Sequence, residues 1–119
     1  MRFCIIDDNR MVTDALAMVL RDLGHTVDIA HDGVTGVALA QEGNHDAVVV
    51  DLHLPGMDGA EVVAELKRAT TSAALIASSG NVVGAEAMRE AGADEFLAKP
   101  FTPGKLVALA AQLIAARAA

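Results

Sequence analysis

The sequence predicts an α/β fold in which helices cover both faces of a five-stranded parallel sheet. Five short apolar runs alternate along the chain with five segments whose apolar residues recur at helical spacing. This alternation is typical of parallel strands joined by crossover helices. One of the runs, 47–50, is apolar at every position, as is typical of a strand buried on both faces. Three of the helical segments stop at a glycine, a residue that commonly ends helices.

The strands are predicted from apolar runs or apolar–polar alternation, and the helices from their periodicity and their start and stop residues. The fourth helix is expected to be short because Gly80 and Gly84 weaken its start. The predicted strands cover 2–6, 25–30, 47–50, 73–77 and 95–98. The predicted helices cover the segment between Asn9 and Gly24, 32–42, about 57–69, 83–91, and a C-terminal segment from Pro103.

Three helix starts carry explicit capping residues. Asn9 is an N-cap, Asp58 is another with Glu61 completing a capping box, and Thr102 precedes Pro103 at the first helical position. The residues expected on the core faces are Val12, Leu16, Val19, Leu20 and Leu23 in the first helix, Val34, Val37, Ala38 and Ala40 in the second, Val62, Val63 and Leu66 in the third, and Leu106, Val107, Leu109, Ala110, Leu113 and Ile114 in the last.

Length and composition limit the classes of protein. The 119 residues suffice for one domain with a buried core and leave no room for a second. The chain has 3% aromatic residues and a net charge of −7, so we expect no nucleic-acid partner. No apolar run reaches ~18 residues, so we expect no membrane partner. The single cysteine, Cys4, is expected to be a small buried hydrophobe in a soluble cytoplasmic protein.

Charged and hydroxyl side chains follow four of the five predicted strands. Asp7 and Asp8 follow the first strand, Asp51 the third, Ser79 the fourth and Lys99 the fifth. The carboxyl ends of parallel strands meet at one edge of a sheet, where ligands bind at the point at which the strand order reverses. We therefore expect these side chains to lie close together.

The chemistry of this set fits phosphoryl transfer. Two carboxylates ~4 Å apart repel by roughly 1 kcal/mol in water and ~4 kcal/mol at an effective dielectric constant of 20, and Mg²⁺ suits an all-oxygen set that needs charge compensation. Lys99 would pair with Asp51 or neutralise phosphoryl oxygens, and Ser79 could donate to the same oxygens. The alternative for Asp7 and Asp8 is a capping and turn role.

Four stretches resemble the receiver domain of two-component response regulators, and the resemblance covers essentially the whole chain. The resemblance implies a flavodoxin-like (βα)₅ fold with strand order 2-1-3-4-5. It also implies a single receiver domain over residues 1–119, which we expect to lack an output domain. The stretches are CIIDDN (4–9), VVVDLHLPGMDG (48–59), LIASSG (75–80) and GADEFLAKPF (92–101), of which the second and fourth are the specific ones.

The resemblance also implies residue roles. Asp51 would accept a phosphoryl group from a histidine kinase or a histidine phosphotransfer protein. Asp8 and Asp51 would bind Mg²⁺ directly together with the backbone carbonyl of His53, while Asp7 would act through water. Lys99 would contact the phosphoryl group and precede a cis proline. A downstream protein would bind the face formed by the fourth helix, fifth strand and fifth helix.

Some positions depart from the family pattern. Family members commonly have Thr or Ser followed by Ala after the fourth strand, whereas this chain has Ser78, Ser79 and Gly80. We assign the switch hydroxyl to Ser79, because its distance from Asp51 fits better, with Ser78 as the alternative. Phe96 stands where the switch aromatic is Tyr or His. His53 either positions water or lies at the surface and shields the site.

We expect a signalling domain that catalyses only its own phosphorylation and dephosphorylation. The alternatives are a Mg²⁺-dependent phosphohydrolase with Asp51 as nucleophile, and a receiver fragment of a hybrid kinase. A turnover enzyme would need a substrate pocket and a general acid near the nucleophile, and the sequence shows neither. A receiver-like module that only binds partners is disfavoured because the acceptor, the metal-binding acids and the lysine are all present.

Overall fold

The computed structural model describes residues 1–69 and 72–118, and within them it forms the expected five-stranded parallel sheet. The strand order is β2-β1-β3-β4-β5 with every pair parallel, which confirms the order that the family resemblance implied. The strands are β1 (Arg2–Ile6), β2 (Thr26–Ala30), β3 (Ala47–Asp51), β4 (Ala74–Ser79) and β5 (Glu95–Ala98). The α-helices are α1 (Arg10–Asp22), α2 (Gly33–Glu42), α3 (Gly59–Arg68), α4 (Ala85–Ala91) and α5 (Pro103–Ala118), and a 3₁₀ helix covers Val82–Gly84.

The sheet separates two apolar layers. Alternate residues of β3 point to opposite faces, so Ala47 and Val49 join one layer and Val48 and Val50 join the other. Helices α1 and α5 cover the first layer, and α2, α3 and α4 cover the second. All five residues of β3 are buried, as its continuous apolar sequence predicts.

The predicted caps are present. The side chain of Asn9 accepts from the amide of Val12 at 3.2 Å, and that of Asp58 accepts from the amide of Glu61 at 2.9 Å. Thr102 Oγ1 accepts from the amide of Lys105 at 3.1 Å. The Lys99–Pro100 peptide bond is cis, as the resemblance implied.

Helix α2 presents only part of the predicted face to the core: Ala40 is buried and Val37 packs against the apolar layer as expected. Val34 is 65% exposed and Ala38 is also exposed, whereas Gly33 and Gly36 are buried. A Cβ atom at Gly36 would lie 2.7 Å from the side chain of Ile6. The helix therefore packs through its glycines as well as through predicted apolar residues, and a pattern based on apolar side chains cannot identify the glycine part of that face.

Helix α1 buries a narrower stripe than expected. Leu16 and Leu20 are buried as predicted, but Val12, Val19 and Leu23 are 41%, 38% and 58% exposed. Val12 and Val19 instead line a cleft between α1 and the segment 99–103. Their apolar character therefore contributes to a surface feature of the domain and less to its core.

The β4–α4 region also differs from the prediction. Strand β4 extends through both serines because Ser78 pairs with Leu97 and Ser79 with Ala98 of β5. Helix α4 starts at residue 85 after the 3₁₀ turn and has seven residues, so its predicted shortness is confirmed and its predicted start at 83 is wrong.

The 3₁₀ turn before α4 packs closely against the loop after β3. A Cβ atom at Gly84 would lie 2.0 Å from Leu52 Cδ2, so the turn before α4 rests directly on that side chain.

Among the helices described, none combines the length and apolarity that crossing a membrane requires.

Candidate functional site

Three carboxylates converge at the carboxyl edge of the sheet, as the strand ends predict. Asp7 and Asp8 follow β1, and Asp51 is the last residue of β3. One oxygen from each of the three lies within 4.8 Å of the others. Asp7 and Asp51 are buried, whereas Asp8 is exposed, so the cluster has one side open to solvent.

Asp7 is the most firmly held of the three. Its Oδ1 accepts from the amide of Asn9 at 3.0 Å, and its own amide donates to the carbonyl of Ala30 at 3.0 Å. Lys99 Nζ donates to its Oδ2 at 2.6 Å. This carboxylate therefore has an opposite charge and a backbone donor, which suits it to a supporting role beside the site.

Lys99 crosses the edge of the sheet to reach two of the acids. Its Nζ lies 3.4 Å from Asp51 Oδ1, which is the predicted pair, and 2.6 Å from Asp7 Oδ2, which is the nearer partner. Burial by itself lowers the pKa of Lys99, but the hydrogen bond and charge of Asp7, with Asp51, raise the pKa above its ordinary value. The ammonium therefore stays charged.

The charge of Asp51 is less well compensated by Lys99 than the charge of Asp7 is. Burial raises the pKa of its carboxyl group, the Asp7 charge raises it further, Lys99 partly opposes this, and Asp8 adds a smaller repulsion. The charged form of this group would be stabilised by a cation placed among the three carboxylates. Because all the available donors are oxygens and the carboxylates repel one another, the residues present fit a hard divalent ion such as Mg²⁺.

The two serines at the end of β4 are used differently. Ser78 is 1% exposed, and its Oγ donates to the carbonyl of Leu97 at 2.9 Å. Ser79 Oγ accepts from the amide of Asn81 at 3.1 Å, which leaves its own hydroxyl proton to be directed elsewhere. The proton of Ser78 is committed to β5, and this favours Ser79 as the hydroxyl that could donate to a ligand.

The loop after Asp51 holds the carboxyl end of β3 in place. The amide of Leu52 donates to the carbonyl of Ser78 at 3.0 Å. A Cβ atom at Gly59 would lie 2.3 Å from the carbonyl oxygen of Asp51, so the start of α3 fits here only because residue 59 is glycine. The side chain of His53 is exposed, which places its imidazole at the surface of this loop.

Phe96 occupies an intermediate position on β5. It is half-buried and packs against the apolar layer covered by α2, α3 and α4. The ring is therefore neither fully inserted into the core nor fully exposed, and Phe96 stays a predicted switch residue.

The sequence reasoning did not identify Asn81. Its amide donates to Ser79 Oγ, and its side chain accepts from the amide of Val83 at 2.9 Å, so it links the serine to the 3₁₀ turn. An asparagine two residues after the serine and just before a helix is a capping signal that could have revealed this link.

An apolar cleft of about 680 Å³ borders the same site. Helix α1 forms one wall, and the segment that includes Lys99 forms the other. Its lining residues are Val12, Ala15, Leu16, Val19, Gly80, Lys99, Pro100, Phe101 and Pro103. The cleft therefore offers an apolar surface directly beside the charged edge of the sheet.

Sequence comparison places the chain among known signalling proteins. Residues 3–111 match the family model described as the response regulator receiver domain. The transcriptional regulatory protein TcrA of Mycobacterium tuberculosis (strain ATCC 25618 / H37Rv) is 40% identical over 109 residues, which are 90% of this chain and 43% of TcrA. The chain spans less than half the length of such curated relatives.

Solved structures agree with the sequence relatives. The receiver domain of a sensor histidine kinase from Pseudomonas aeruginosa PAO1, with a magnesium ion coordinated in its active-site cleft, has a TM-score of 0.87 and 27% identity, covering 96% of this chain and 97% of that one. A response regulator from Burkholderia pseudomallei, with a phosphorylated aspartic acid and a calcium ion, has a TM-score of 0.83 and 29% identity, covering 98% of this chain and 72% of that one.

The relatives, the solved structures and the strand order all point to one family. A single family model accounts for nearly the whole chain, including every residue of the acidic edge and the lysine beside it. The chain therefore belongs to the family of response regulator receiver domains, the phosphoacceptor modules of two-component signalling systems.

Proposed function

We propose that Asp51 is the residue that accepts the phosphoryl group, and that the donor is a phosphohistidine of a histidine kinase or a histidine phosphotransfer protein. The observation that carries this assignment is the convergence of three carboxylates within 4.8 Å with Lys99 Nζ 3.4 Å from Asp51. Asp51 is the central acid, since it ends a buried strand between the acidic pair on β1 and the serines on β4.

The transfer step is a substitution at phosphorus. An oxygen of the Asp51 carboxylate forms a new P–O bond while the P–N bond of the phosphohistidine breaks, and the electron pair of that bond stays on the imidazole nitrogen, which takes up a proton. The product is an acyl phosphate on Asp51. Negative charge accumulates on the phosphoryl oxygens throughout, so this step depends on the charges around the acceptor.

The metal proposal follows from the same cluster. Asp8 and Asp51 would hold Mg²⁺ directly together with the backbone carbonyl of His53, and Asp7 would contribute through water. When bound, the ion supplies charge compensation for the carboxylates and the phosphoryl oxygens. The raised pKa of Asp51 and the exposed position of Asp8 support this arrangement, because a cation can enter from solvent.

Lys99 and Ser79 would bind the phosphoryl group. Lys99 Nζ already lies between Asp7 and Asp51, so a phosphoryl oxygen on Asp51 falls within reach of the ammonium. Ser79 Oγ would donate its proton to another phosphoryl oxygen while it still accepts from Asn81. Such a charge-assisted hydrogen bond contributes ~1.5–3 kcal/mol, so Ser79 would act together with Lys99 and the loop after β4 in changing the conformation.

The domain would pass its signal on by protein contact. We place the downstream surface on the α4, β5 and α5 face, at whose edge Val82 and Val83 are 70% and 83% exposed. The phosphodonor protein has to approach Asp51, and the apolar cleft beside Lys99 suits its docking.

The net charge of −7 argues against direct contact with nucleic acid. The lone Cys4 thiol suits a protein of the cytoplasm.

A mass measurement tests the acceptor assignment. Wild-type protein and Asp51→Asn are incubated with a small acyl phosphate, with Mg²⁺ or with a chelator, and the intact proteins are weighed. We expect one phosphoryl group on the wild type with Mg²⁺ and none on Asp51→Asn. Equal mass gain in both proteins would refute Asp51 as the acceptor, and continuous release of phosphate would favour a phosphohydrolase instead.

A further inference from the structure

We propose that Ser78 is a positioning residue for phosphoryl transfer, which holds the segment carrying Lys99 at a fixed distance from Asp51. This inference rests on the proposed function of Asp51. It concerns the serine that is not expected to touch the phosphoryl group, and it gives the pair Ser78 and Ser79 two separate roles.

Ser78 is the residue that connects the acceptor strand to the lysine strand. It pairs in register with Asp51 on one side and with Leu97 on the other. Its carbonyl accepts from the amide of Leu52, the residue after Asp51, at 3.0 Å. Its Oγ donates to the carbonyl of Leu97, two residues before Lys99, at 2.9 Å. One residue thus bonds to both sides of the site.

The segment from Leu97 to Lys99 is held at both ends by the serine pair. Ser78 Oγ binds the carbonyl of Leu97, and the carbonyl of Ser79 accepts from the amide of Lys99 at 2.9 Å. The Lys99 side chain leaves β5 from this segment to reach Asp7 and Asp51. Any shift of the segment relative to β4 therefore changes the position of the ammonium over the acceptor.

The surroundings of Ser78 give no other reason for a hydroxyl. The residue is 1% exposed, and it lies two positions along β4 from Ile76, on the face that packs against the apolar layer under α1 and α5. A hydroxyl buried among apolar side chains loses its hydrogen bonds to water, and only a hydrogen bond within the protein compensates for that loss. The Leu97 carbonyl supplies that bond, so the contribution of the hydroxyl is the attachment of β5.

The test compares the effect of Ser78→Ala in a chain that has Lys99 with its effect in a chain that carries Lys99→Ala. Rates of phosphorylation by a small acyl phosphate with Mg²⁺ are measured by intact mass for wild type, Ser78→Ala, Lys99→Ala and the double variant. We expect Ser78→Ala to be about 3- to 10-fold slower, as the loss of one neutral hydrogen bond gives. In the Lys99→Ala background the same substitution should have no further effect, because Ser78 acts through Lys99.

Thr13→Val is the matched control. Thr13 is likewise buried, and its Oγ1 donates to the carbonyl of Arg10 at 3.1 Å and lies 3.2 Å from His31 Nε2. The loss of this hydroxyl should change the rate less than about 2-fold. A wild-type rate for Ser78→Ala, an equal loss with and without Lys99, or an equal loss in Thr13→Val would overturn the inference. If Ser78→Ala does not fold, Ser78→Cys, a weaker donor of similar size, is judged by the same comparison.

The two proposals fail in different ways. Phosphorylation of Asp51→Asn at the wild-type rate contradicts the acceptor assignment whatever Ser78 does. A wild-type chain that gains no phosphoryl group contradicts both proposals. Phosphorylation confined to Asp51, with a rate that does not depend on the Ser78 hydroxyl, contradicts the positioning role alone.

Discussion

The three acids of the cluster differ in how far their charge is compensated. Asp7 lies 2.6 Å from the Lys99 ammonium, Asp51 lies 3.4 Å from it, and Asp8 faces solvent. Burial and the neighbouring carboxylates raise the pKa of Asp51 despite the lysine. Asp51, the proposed acceptor, is therefore the buried acid whose charge is less neutralised by Lys99 in the free domain, and it gains most from a cation and a second partner.

Cys4 provides a prediction at the scale of one residue. The residue is fully buried, and burial, with a smaller contribution from Asp28, raises the pKa of its thiol to about 12. We expect the native protein to react with iodoacetamide at pH 8 at least about 100-fold more slowly than the urea-unfolded chain. Labelling followed by mass spectrometry measures both rates, and similar rates would contradict the buried position.

The same thiol makes a contribution to stability that depends on pH. Between the ordinary pKa of 9.0 and the folded value of about 12, the unfolded chain binds fewer protons at Cys4 than the folded chain does. The free energy of unfolding therefore falls as the pH rises through this window, as far as this group is concerned.

The sequence predicts the residues of the site better than the contacts among them. Asp7, Asp8, Asp51 and Lys99 are predictable because each stands at the carboxyl end of a strand, and parallel strands bring these ends together. The nearer pairing of Lys99 with Asp7 depends on side-chain distances that no local pattern encodes. The separate hydrogen bonds of Ser78 and Ser79 become visible only once β4 and β5 are paired.

At the scale of elements, strands and caps follow from local sequence, whereas two helix features depend on tertiary contacts. Helix α2 turns its glycines inward, with Gly36 against Ile6, and the turn before α4 packs with Gly84 against Leu52. Both contacts join segments that are distant in sequence. Apolar periodicity within one helix therefore misplaces Val34, which is 65% exposed.

The contact of Gly84 with Leu52 leads to a prediction about this turn. In Gly84→Ala the new methyl group would meet Leu52 Cδ2 at 2.0 Å, so Leu52 or the turn must shift. We expect the free energy of unfolding to fall by about 1–3 kcal/mol. Urea denaturation followed by circular dichroism measures the change.

Gly80→Ala is the control for this substitution. A Cβ atom at Gly80 meets nothing within 4 Å, so the replacement should leave the stability equal to that of wild type or raise it by up to about 1 kcal/mol. If Gly84→Ala proves as stable as Gly80→Ala, the close packing of the turn on Leu52 is contradicted.

For the whole molecule, the acidic edge predicts a dependence of stability on metal. A ligand that binds only the folded state at about 100 times its dissociation constant stabilises that state by about 2.7 kcal/mol. We expect Mg²⁺ to raise the urea midpoint of the wild type accordingly, and a chelator to remove the gain. A metal site in the cluster is contradicted if the urea midpoint stays unchanged at every Mg²⁺ concentration, including one high enough to saturate a weak site.

Asp8→Asn separates repulsion from metal binding. Without Mg²⁺ the free energy of unfolding of this variant should equal that of the wild type or exceed it by up to about 1 kcal/mol, because one of three like charges is removed. With Mg²⁺ its gain should be smaller than that of the wild type. Asp14→Asn, which removes an exposed acid of α1 outside the cluster, should retain the full gain.

The strand order has a consequence for the order in which the site can assemble. Strands β1, β2 and β3 are adjacent in the sheet and complete by residue 51, so all three acids of the cluster belong to the first part of the chain. Their counter-charge, Lys99, enters only after β5, the last strand. When the N-terminal half folds first, the three carboxylates repel one another before Lys99 is in place. The pairing of β5 with β4 then positions Lys99 and completes the charge balance of the domain.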